Sequence, residues 1–188
     1  LRFSSDDISY LRSLSYFRDE FLEYLSEFRF NGSVLSFREG SLVFPEEPLI
    51  RVEAPLIEAQ IIESLLLNVI NFQTLIATKA ARVLVATEFG SILEFGMRRA
   101  HGYNGALMAS RAAYIGGVSG TSNTLAGGLY GIPVSGTMAH SWVMAFDSEA
   151  ESFERYSELY PDSAILLIDT FDTLNQGIEN SINIGKKL

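Results

Sequence analysis

The chain has 188 residues, no cysteine and a formal net charge of −9. Its size allows one hydrophobic core, or one core plus a small lobe, and 47% hydrophobic residues indicate a globular protein rather than a disordered one. The lack of cysteine excludes a disulfide framework, a thiol nucleophile and a thiolate metal site, and it is compatible with a reducing cytoplasm. The acidic balance argues against nucleic-acid binding, which needs clustered Lys and Arg.

The ends of the sequence and its most apolar stretch bear on the type of protein. The chain opens at Leu1 without an initiator Met and ends at Leu188 shortly after a strand-like run, which predicts that it is part of a longer protein. No signal peptide is visible. The most apolar stretch, residues 61–84, contains interspersed polar residues such as Glu63 and Arg82, so we expect no membrane span.

Residues 1–57 predict a small α+β lobe. Apolar residues at helical spacing predict two short helices within residues 4–29, with a serine cap at the start of the first. Residues 32–52 alternate between apolar and polar and are punctuated by Gly and Pro, which predicts short antiparallel strands. Residues 58–87 are apolar on nearly every face, so we expect a long helix packed deep between other elements.

Strand-like and helix-like stretches then alternate along the chain. We predict strands at residues 92–96, 115–119, 132–136 and 164–169, and helices at residues 105–114, 123–130, 148–160 and from 173 onward. This alternation implies a parallel sheet covered on both faces, either doubly wound or closed as a barrel. The sequence therefore predicts an α/β domain over residues 58–188.

An acid-free segment stands out in this acidic chain. Residues 95–146 contain no Asp or Glu although the chain has 23, and they hold both histidines and 10 of the 15 glycines. Such a segment predicts an electropositive pocket for an anionic small molecule. Polar and small residues also follow each predicted strand, and in parallel α/β folds the loops at those strand ends form the active site.

His140, which follows an apolar run and a Gly-Thr turn, is the leading candidate for chemistry. A neutral imidazole can act as base, acid or nucleophile, and a nearby arginine could hold an anionic partner against it. A partly buried histidine bonded to a backbone carbonyl explains the residue equally well. His101 fits a solvated loop histidine better than a catalytic one. A triad of Ser141, His140 and Asp169 is set aside because adjacent side chains rarely make the nucleophile–base contact.

Arg98 and Arg99 are candidates for holding an anion. Arginine suits a bidentate grip on carboxylate or phosphate. At the end of a strand the two neighbouring side chains would point in opposite directions, so at most one would face the pocket. The alternative is that both pair with acids such as Glu94.

Two further groups of residues have weaker patterns. The Gly-Ser-Thr run at residues 116–123 offers backbone N–H groups and hydroxyls ahead of a helix, which suits an anion, but it matches neither a P-loop nor GxGxxG. Asp169 and Asp172 could hold a ribose hydroxyl or a metal ion, or they could cap a helix.

Several ordered motifs together resemble the nicotinate phosphoribosyltransferases. They are EFGMRRAHG at 94–102, GGVSGTSNTLAG at 116–127, GIPVSGTMAHSWV at 131–143 and LLIDTFDT at 166–173, with FREGSLVFPEEPLIRVEAPLIEAQIIES in the N-terminal part. The resemblance covers essentially the whole chain. It implies a type II phosphoribosyltransferase fold, here an irregular, incomplete α/β barrel with parallel strands plus a small α+β N-terminal lobe.

The resemblance also implies a reaction and roles for residues. Nicotinate would condense with phosphoribosyl pyrophosphate to give nicotinate mononucleotide and pyrophosphate, coupled to hydrolysis of ATP with Mg²⁺, in cytoplasmic NAD biosynthesis. His140 matches the family histidine that ATP transiently phosphorylates. Arg98 matches the arginine at the nicotinate and ribose-phosphate site, Ser141 lies beside the substrate, and Gly136 and Thr137 line the same rim. The metal ligands stay open.

This sequence departs from the family pattern in its length and in the loops that it lacks. Family chains are longer, and their C-terminal LDSGD-like and Gly-rich loops, absent here, complete the ribose and phosphate sites. The resemblance therefore implies half a site, a homodimer with sites at the interface, and leaves open whether this chain is active alone. A nicotinamide or quinolinate phosphoribosyltransferase is the alternative enzyme. A non-catalytic fragment or binding subunit is the alternative from another class.

Overall fold

The structure is a computed structural model that describes residues 1–88 and 90–187. The chain forms two compact units, Leu1–Ser119 and Gly120–Leu188. In chain order the described elements are α1 (Ser5–Ser13), α2 (Asp19–Ser26), β1 (Ser33–Ser36), β2 (Ile50–Glu53), α3 (Leu56–Ala86), β3 (Leu93–Glu94), α4 (Gly102–Ile115), β4 (Gly120–Thr121), α5 (Thr124–Tyr130), α6 (His140–Val143), α7 (Glu149–Leu159) and α8 (Ile178–Gly185). A 3₁₀ turn spans Met97–Arg99, and one turn of π-helix spans Thr173–Gly177.

The predicted division of the chain into residues 1–57 and 58–188 stays a prediction about the complete protein. Its last residue, Leu188, lies outside the described residues. The two units of the structure meet at a different point in the sequence, after Ser119.

The two predicted N-terminal helices are confirmed. Ser4 caps α1 reciprocally, because its hydroxyl accepts the Asp7 N–H at 3.2 Å and its own N–H donates to the Asp7 carboxylate at 2.7 Å. Helix α2 buries Leu22 and Leu25, and Phe28 just beyond it is also buried. The apolar spacing seen in the sequence therefore forms a small core in the first unit.

The predicted antiparallel unit is confirmed in part. Strands β1 and β2 pair antiparallel, with Val34 opposite Val52. The apolar residues Leu42 and Phe44, which suggested a further strand, lie instead in the loop of residues 37–49 and are exposed. A glycine and two prolines turn the chain within this loop, so it cannot continue a ladder.

The long apolar helix is confirmed as α3, which has 31 residues. Its predicted deep burial is wrong for the described residues, because only Glu58, Ile62 and Ala80 are buried, whereas Leu75 and Val85 are exposed. By length and composition, with a mean hydropathy of 1.4 over an 18-residue window, α3 could cross a membrane, a test that core helices of soluble proteins also pass. The polar residues along it therefore do not exclude a span, and the absence of one stays a prediction.

Helix α4 packs against α3 around a core of Ala80, Ala113 and Val118. The two backbones approach closely just after α4, where a Cβ on Gly116 would lie 2.4 Å from the carbonyl oxygen of Ala77. Only glycine fits such an approach. The predicted helix at residues 105–114 is thus confirmed as α4, which packs against α3 in the first unit.

The predicted strands are the part of the fold that the structure corrects most. The strand predicted at residues 92–96 is reduced to the two residues of β3, and residues 115–119 form the end of α4 and a turn instead of a strand. Residues 132–136 keep a single parallel bridge, to Thr121, and residues 164–169 are irregular. An apolar run without a partner strand cannot complete a ladder of hydrogen bonds. The fold is α/β with small sheets, and the described residues do not form a complete barrel.

The second unit is built around Phe153, which is fully buried. The buried cluster comprises Met138, Val143, Phe153 and Ile184, and Trp142, Tyr156, Leu166, Leu167 and Ile168 pack against it. Polar contacts add to this packing, since the buried carboxylate of Glu149 on α7 accepts a hydrogen bond from the side chain of Asn180 on α8 at 3.0 Å. The predicted helices at 148–160 and from 173 onward are confirmed in this core.

We expect Phe153→Ala to destabilise the chain by about 3–5 kcal/mol, because it removes a fully buried aromatic ring and leaves a cavity. Leu159→Ala is the matched control, since Leu159 lies at the end of the same helix with 64% of its surface exposed, and it should change stability by no more than about 0.5 kcal/mol. Urea unfolding followed by circular dichroism measures both. Equal effects of the two substitutions would contradict this account of the core.

Candidate active site

His140 is the first residue of α6, a four-residue helix that the sequence did not predict. The core holds this helix in place, because Met138 before it and Val143 at its end are both buried. In addition, the indole Nε1 of Trp142 donates a hydrogen bond to the carbonyl oxygen of Ser152 on α7 at 3.1 Å. The backbone that carries His140 is therefore fixed on both sides.

The imidazole of His140 faces two side chains of the segment after Ile168. Its Nδ1 lies 3.1 Å from the hydroxyl oxygen of Thr170, and its Nε2 lies 3.9 Å from a carboxylate oxygen of Asp169. The side chain of His140 is 45% exposed. Its partners are thus side chains rather than the backbone carbonyl considered from the sequence, and part of the ring remains open to a ligand.

The segment that carries Asp169 and Thr170 is anchored at both of its ends. On one side Ile168 packs on the core, and a Cβ on Gly177 would lie 2.1 Å from the Ile168 carbonyl oxygen, so this close approach requires glycine. On the other side the Asp172 carboxylate caps the turn of π-helix that begins at Thr173. Asp172 is therefore a helix cap, one of the roles that the sequence left open.

The cap also affects the titration of Asp172. The side-chain amide of Asn175 donates to its carboxylate at 2.9 Å, and the backbone N–H of Asn175 donates at 3.1 Å. These hydrogen bonds stabilise the charged form and hold the pKa of Asp172 below its ordinary value.

The other site residues predicted near His140 lie on the surface of the second unit. Gly136, Thr137 and Ser141 are exposed. The hydroxyl of Thr137 donates to the carbonyl oxygen of Met138 at 3.0 Å. A Cβ on Gly136 would meet no atom within 4 Å, so packing within the described residues does not explain a glycine there.

In the first unit, Arg98 and Arg99 lie in the 3₁₀ turn rather than at a strand end. Successive side chains in such a turn are about 120° apart, so the argument that they point in opposite directions is wrong. Both are exposed, and neither makes an ion pair with a described residue. The suggested pairing with Glu94 is not among the ion pairs of the described residues, in which that carboxylate accepts hydrogen bonds from the Gly96 N–H and from the Ser110 hydroxyl.

His101 and Arg111 have structural explanations in the first unit. His101 is an exposed residue at the start of α4, as expected for a solvated loop histidine. Arg111 forms two hydrogen bonds with the Glu39 carboxylate, at 2.8 and 2.6 Å, and one with Gln73 at 3.1 Å. The guanidinium holds the pKa of Glu39 below its ordinary value. Arg111 thus ties the loop of residues 37–49 to α3 and α4.

The end of the Gly-Ser-Thr run starts helix α5. The side-chain oxygen of Asn123 accepts the Ala126 N–H at 3.2 Å, and the Asn123 N–H donates to the hydroxyl of Thr121 at 3.0 Å. Asn123 and Thr121 are buried. These groups serve the cap of α5, and the anion seat suggested for residues 116–123 stays a prediction.

Comparison with known proteins gives the family. Residues 1–71 match the model of the nicotinate phosphoribosyltransferase N-terminal domain, and residues 91–184 match the model of the nicotinate phosphoribosyltransferase family. The chain belongs to the nicotinate phosphoribosyltransferase family. The resemblance inferred from the four motifs is therefore confirmed.

Individual relatives agree with this assignment. The chain is 48% identical over 187 residues to nicotinate phosphoribosyltransferase pncB2 of Mycobacterium tuberculosis, covering 100% of this chain and 40% of that protein. It is 49% identical over 186 residues to the nicotinate phosphoribosyltransferase of Bacillus subtilis, covering 99% of this chain and 38% of that protein. The chain thus spans roughly two fifths of the length of these relatives.

Two solved structures share the fold. Human nicotinic acid phosphoribosyltransferase superposes with a TM-score of 0.87 at 30% identity, covering 97% of this chain and 47% of that one. Nicotinate-nucleotide pyrophosphorylase from Pyrococcus furiosus superposes with a TM-score of 0.77 at 29% identity, covering 90% of this chain and 44% of that one.

The capped turn gives a pH-dependent prediction. Because the pKa of Asp172 is lower in the folded chain, its contribution to stability is fully present above the unfolded pKa, about 3.9, and is lost as the pH falls through the lower folded value. Asp172→Asn should therefore melt below the wild type at pH 7 and level with it near pH 2. Asp162→Asn, at an exposed position of the same unit, is the control. Thermal unfolding from pH 2 to 7 tests this, and a constant difference at every pH would contradict it.

Proposed function

We propose that the complete protein containing this chain is a nicotinate phosphoribosyltransferase. The ring nitrogen of nicotinate forms a bond to C1 of the ribose of phosphoribosyl pyrophosphate, while the C1–oxygen bond to pyrophosphate breaks and the oxygen keeps the electron pair. The observation that carries the proposal is the match of both family models to this chain, in a structure that presents a half-exposed His140 beside Asp169 and Thr170.

His140 is proposed to couple this reaction to ATP. A lone pair on the imidazole attacks the γ-phosphorus, the bond to the bridging oxygen breaks, and ADP leaves with that electron pair. The ring becomes positively charged in this step, and the Asp169 carboxylate 3.9 Å from Nε2 stabilises that charge. Water later removes the phosphoryl group. The stretch of residues 95–146 supports the proposal, because it contains no Asp or Glu side chain that would repel an incoming polyphosphate.

Arg98, Ser141, Thr137 and Gly136 are proposed to bind the substrates. The guanidinium of Arg98 is exposed and makes no ion pair within the described ranges, which leaves it available for a carboxylate or phosphate. Ser141 and Thr137 offer hydroxyls beside His140 in the sequence. Gly136 faces open space, where a ligand could approach the backbone closely.

Mg²⁺ is proposed to enter with the phosphates of ATP and phosphoribosyl pyrophosphate. Within residues 1–88 and 90–187, no group of three or more His, Asp or Glu side chains is placed to hold a metal ion. Mg²⁺ commonly keeps several waters and binds through one or two carboxylates plus substrate phosphates. Asp169 is the exposed carboxylate beside His140 that suits such a role.

The complete protein is proposed to close an irregular α/β barrel, to carry residues 1–57 as a small lobe, and to work as a cytoplasmic homodimer. The exposed apolar residues of α3, among them Leu67 and Leu75, support the need for further packing partners. The short strands also support this need, because their unpaired edges require additional strands.

The proposed chemistry predicts that His140→Ala abolishes ATP coupling. In the complete protein, labelled phosphate should pass from γ-labelled ATP to the wild type and not to the variant, and ATP should no longer stimulate formation of nicotinate mononucleotide. His101→Ala replaces the chain's other histidine and should retain labelling and stimulation. Labelling of the His140 variant would refute the phosphohistidine.

The same assay decides between the alternatives when nicotinate, nicotinamide and quinolinate are offered in turn. Product from nicotinate alone supports the proposal, and product from either of the others moves the assignment to a sister enzyme. No product from any of them, with folded protein, leaves a binding subunit.

The binding role of Gly136 gives a further prediction. Gly136→Val should leave the melting temperature nearly unchanged, because a Cβ there meets no atom within 4 Å, and it should raise the KM for nicotinate or phosphoribosyl pyrophosphate about tenfold by obstructing the ligand. Gly128→Val is the matched control, since Gly128 is also exposed with nothing within 4 Å. Unchanged KM values in a folded Gly136 variant would remove this residue from the site.

A further inference from the structure

The ring of His140 makes one hydrogen bond within the described part of the chain, and its partner is Thr170. The Nδ1–Oγ1 distance is 3.1 Å, whereas the contact from Nε2 to the Asp169 carboxylate is 3.9 Å. The latter distance is too long for a hydrogen bond but short enough for electrostatic attraction. The Thr170 hydroxyl is therefore the contact that can fix the direction of the ring.

The position of this hydroxyl is itself determined by the fold. Thr170 lies two residues after Ile168, which packs on the core and against Gly177, and two residues before Asp172, which caps the π-helical turn. Thr170 is half-buried. A threonine held between two fixed points presents its hydroxyl in a defined place, whereas the imidazole, with 45% of its side chain exposed, has room to rotate about χ2.

We infer that Thr170 is a positioning residue for His140: its hydroxyl oxygen accepts the N–H of Nδ1, which leaves the ring lone pair on Nε2 and holds the imidazole in a single orientation. A neutral imidazole has one N–H and one acceptor nitrogen, and a hydroxyl can serve either of them. Phosphorylation needs a ring nitrogen with a free lone pair. Among the described residues Nε2 has no hydrogen-bond partner, so Nε2 presents the lone pair and Nδ1 carries the proton that the hydroxyl accepts. The tautomer and its kinetic effect rest on the proposed phosphorylation of His140, whereas the contact between Thr170 and the ring does not.

The test compares Thr170→Val with Thr170→Ser in the complete protein. Valine keeps the shape and removes the hydroxyl, and serine keeps the hydroxyl. With histidine labelled by ¹⁵N, the ring-nitrogen chemical shifts report the tautomer of His140, whose signals are identified by their loss in His140→Ala. We expect the wild type and the serine variant to show mainly the Nδ1–H form, and the valine variant to show a mixture of both forms.

The kinetic readout is the rate of label transfer from γ-labelled ATP to the protein. Thr170→Val should lower the maximal rate about tenfold, the equivalent of one hydrogen bond, with little change in the KM for ATP, and Thr170→Ser should restore it. Thr124→Val, which removes an exposed hydroxyl at the start of α5, should change nothing.

The possible outcomes separate the two proposals. The positioning role would be overturned if Thr170→Val showed the wild-type tautomer of His140. It would also be overturned if Thr170→Val accepted labelled phosphate at the wild-type rate while His140 is the residue that is phosphorylated. If His140→Ala still accepts phosphate, the proposed function fails, and the ring-nitrogen shifts alone then decide whether Thr170 orients the ring. If Thr170→Val melts far below the Thr124 control, the serine variant is used instead, because loss of the Nδ1–H form in a protein that keeps the hydroxyl would contradict the inference.

Discussion

The candidate site depends on the burial of Phe153. The cluster around this ring includes Met138 and Val143, on either side of His140, and Ile168, just before Thr170. Two segments that lie 30 residues apart in the sequence are thereby packed on one core, and their polar residues meet at its edge at 3.1 Å. Burial of apolar side chains is non-directional, so the precise geometry comes from the close backbone approach at Gly177, from the Asp172 cap, and from the hydrogen bond of Trp142 to Ser152.

The helices could be predicted from the sequence because their signals are local. Ser4, Asn123 and Ser148 each cap a helix within three residues of their own position, and apolar spacing supplies the rest. The parallel strands expected after residue 90 could not be predicted, because a strand exists only with a partner, and an apolar run such as residues 164–169 does not reveal whether a partner is present. Helix α6 was missed because four residues are too few to show a period.

The candidate site shows the same division between local and distant signals. Absence of Asp and Glu over residues 95–146 drew attention to His140 without any structure. Thr170 carried no such signal, since no local pattern indicates that residue 170 contacts residue 140. The roles of Arg98 and Arg99 were argued from a strand geometry that the chain does not adopt. Sequence reasoning was therefore weakest where it assumed the direction of the backbone.

The contacts of His140 differ from those of α3 in where their partners lie. The contacts that orient His140 come from Thr170, Asp169 and the core of the same unit, so the state of the ring is a local property of residues 120–187. In contrast, α3 exposes apolar side chains along much of its length in a chain that spans about two fifths of its relatives. Burial of that surface needs further packing partners. Under the proposed function, substitutions at Thr170 should therefore act on the phosphorylation of His140 through contacts that lie within residues 120–187.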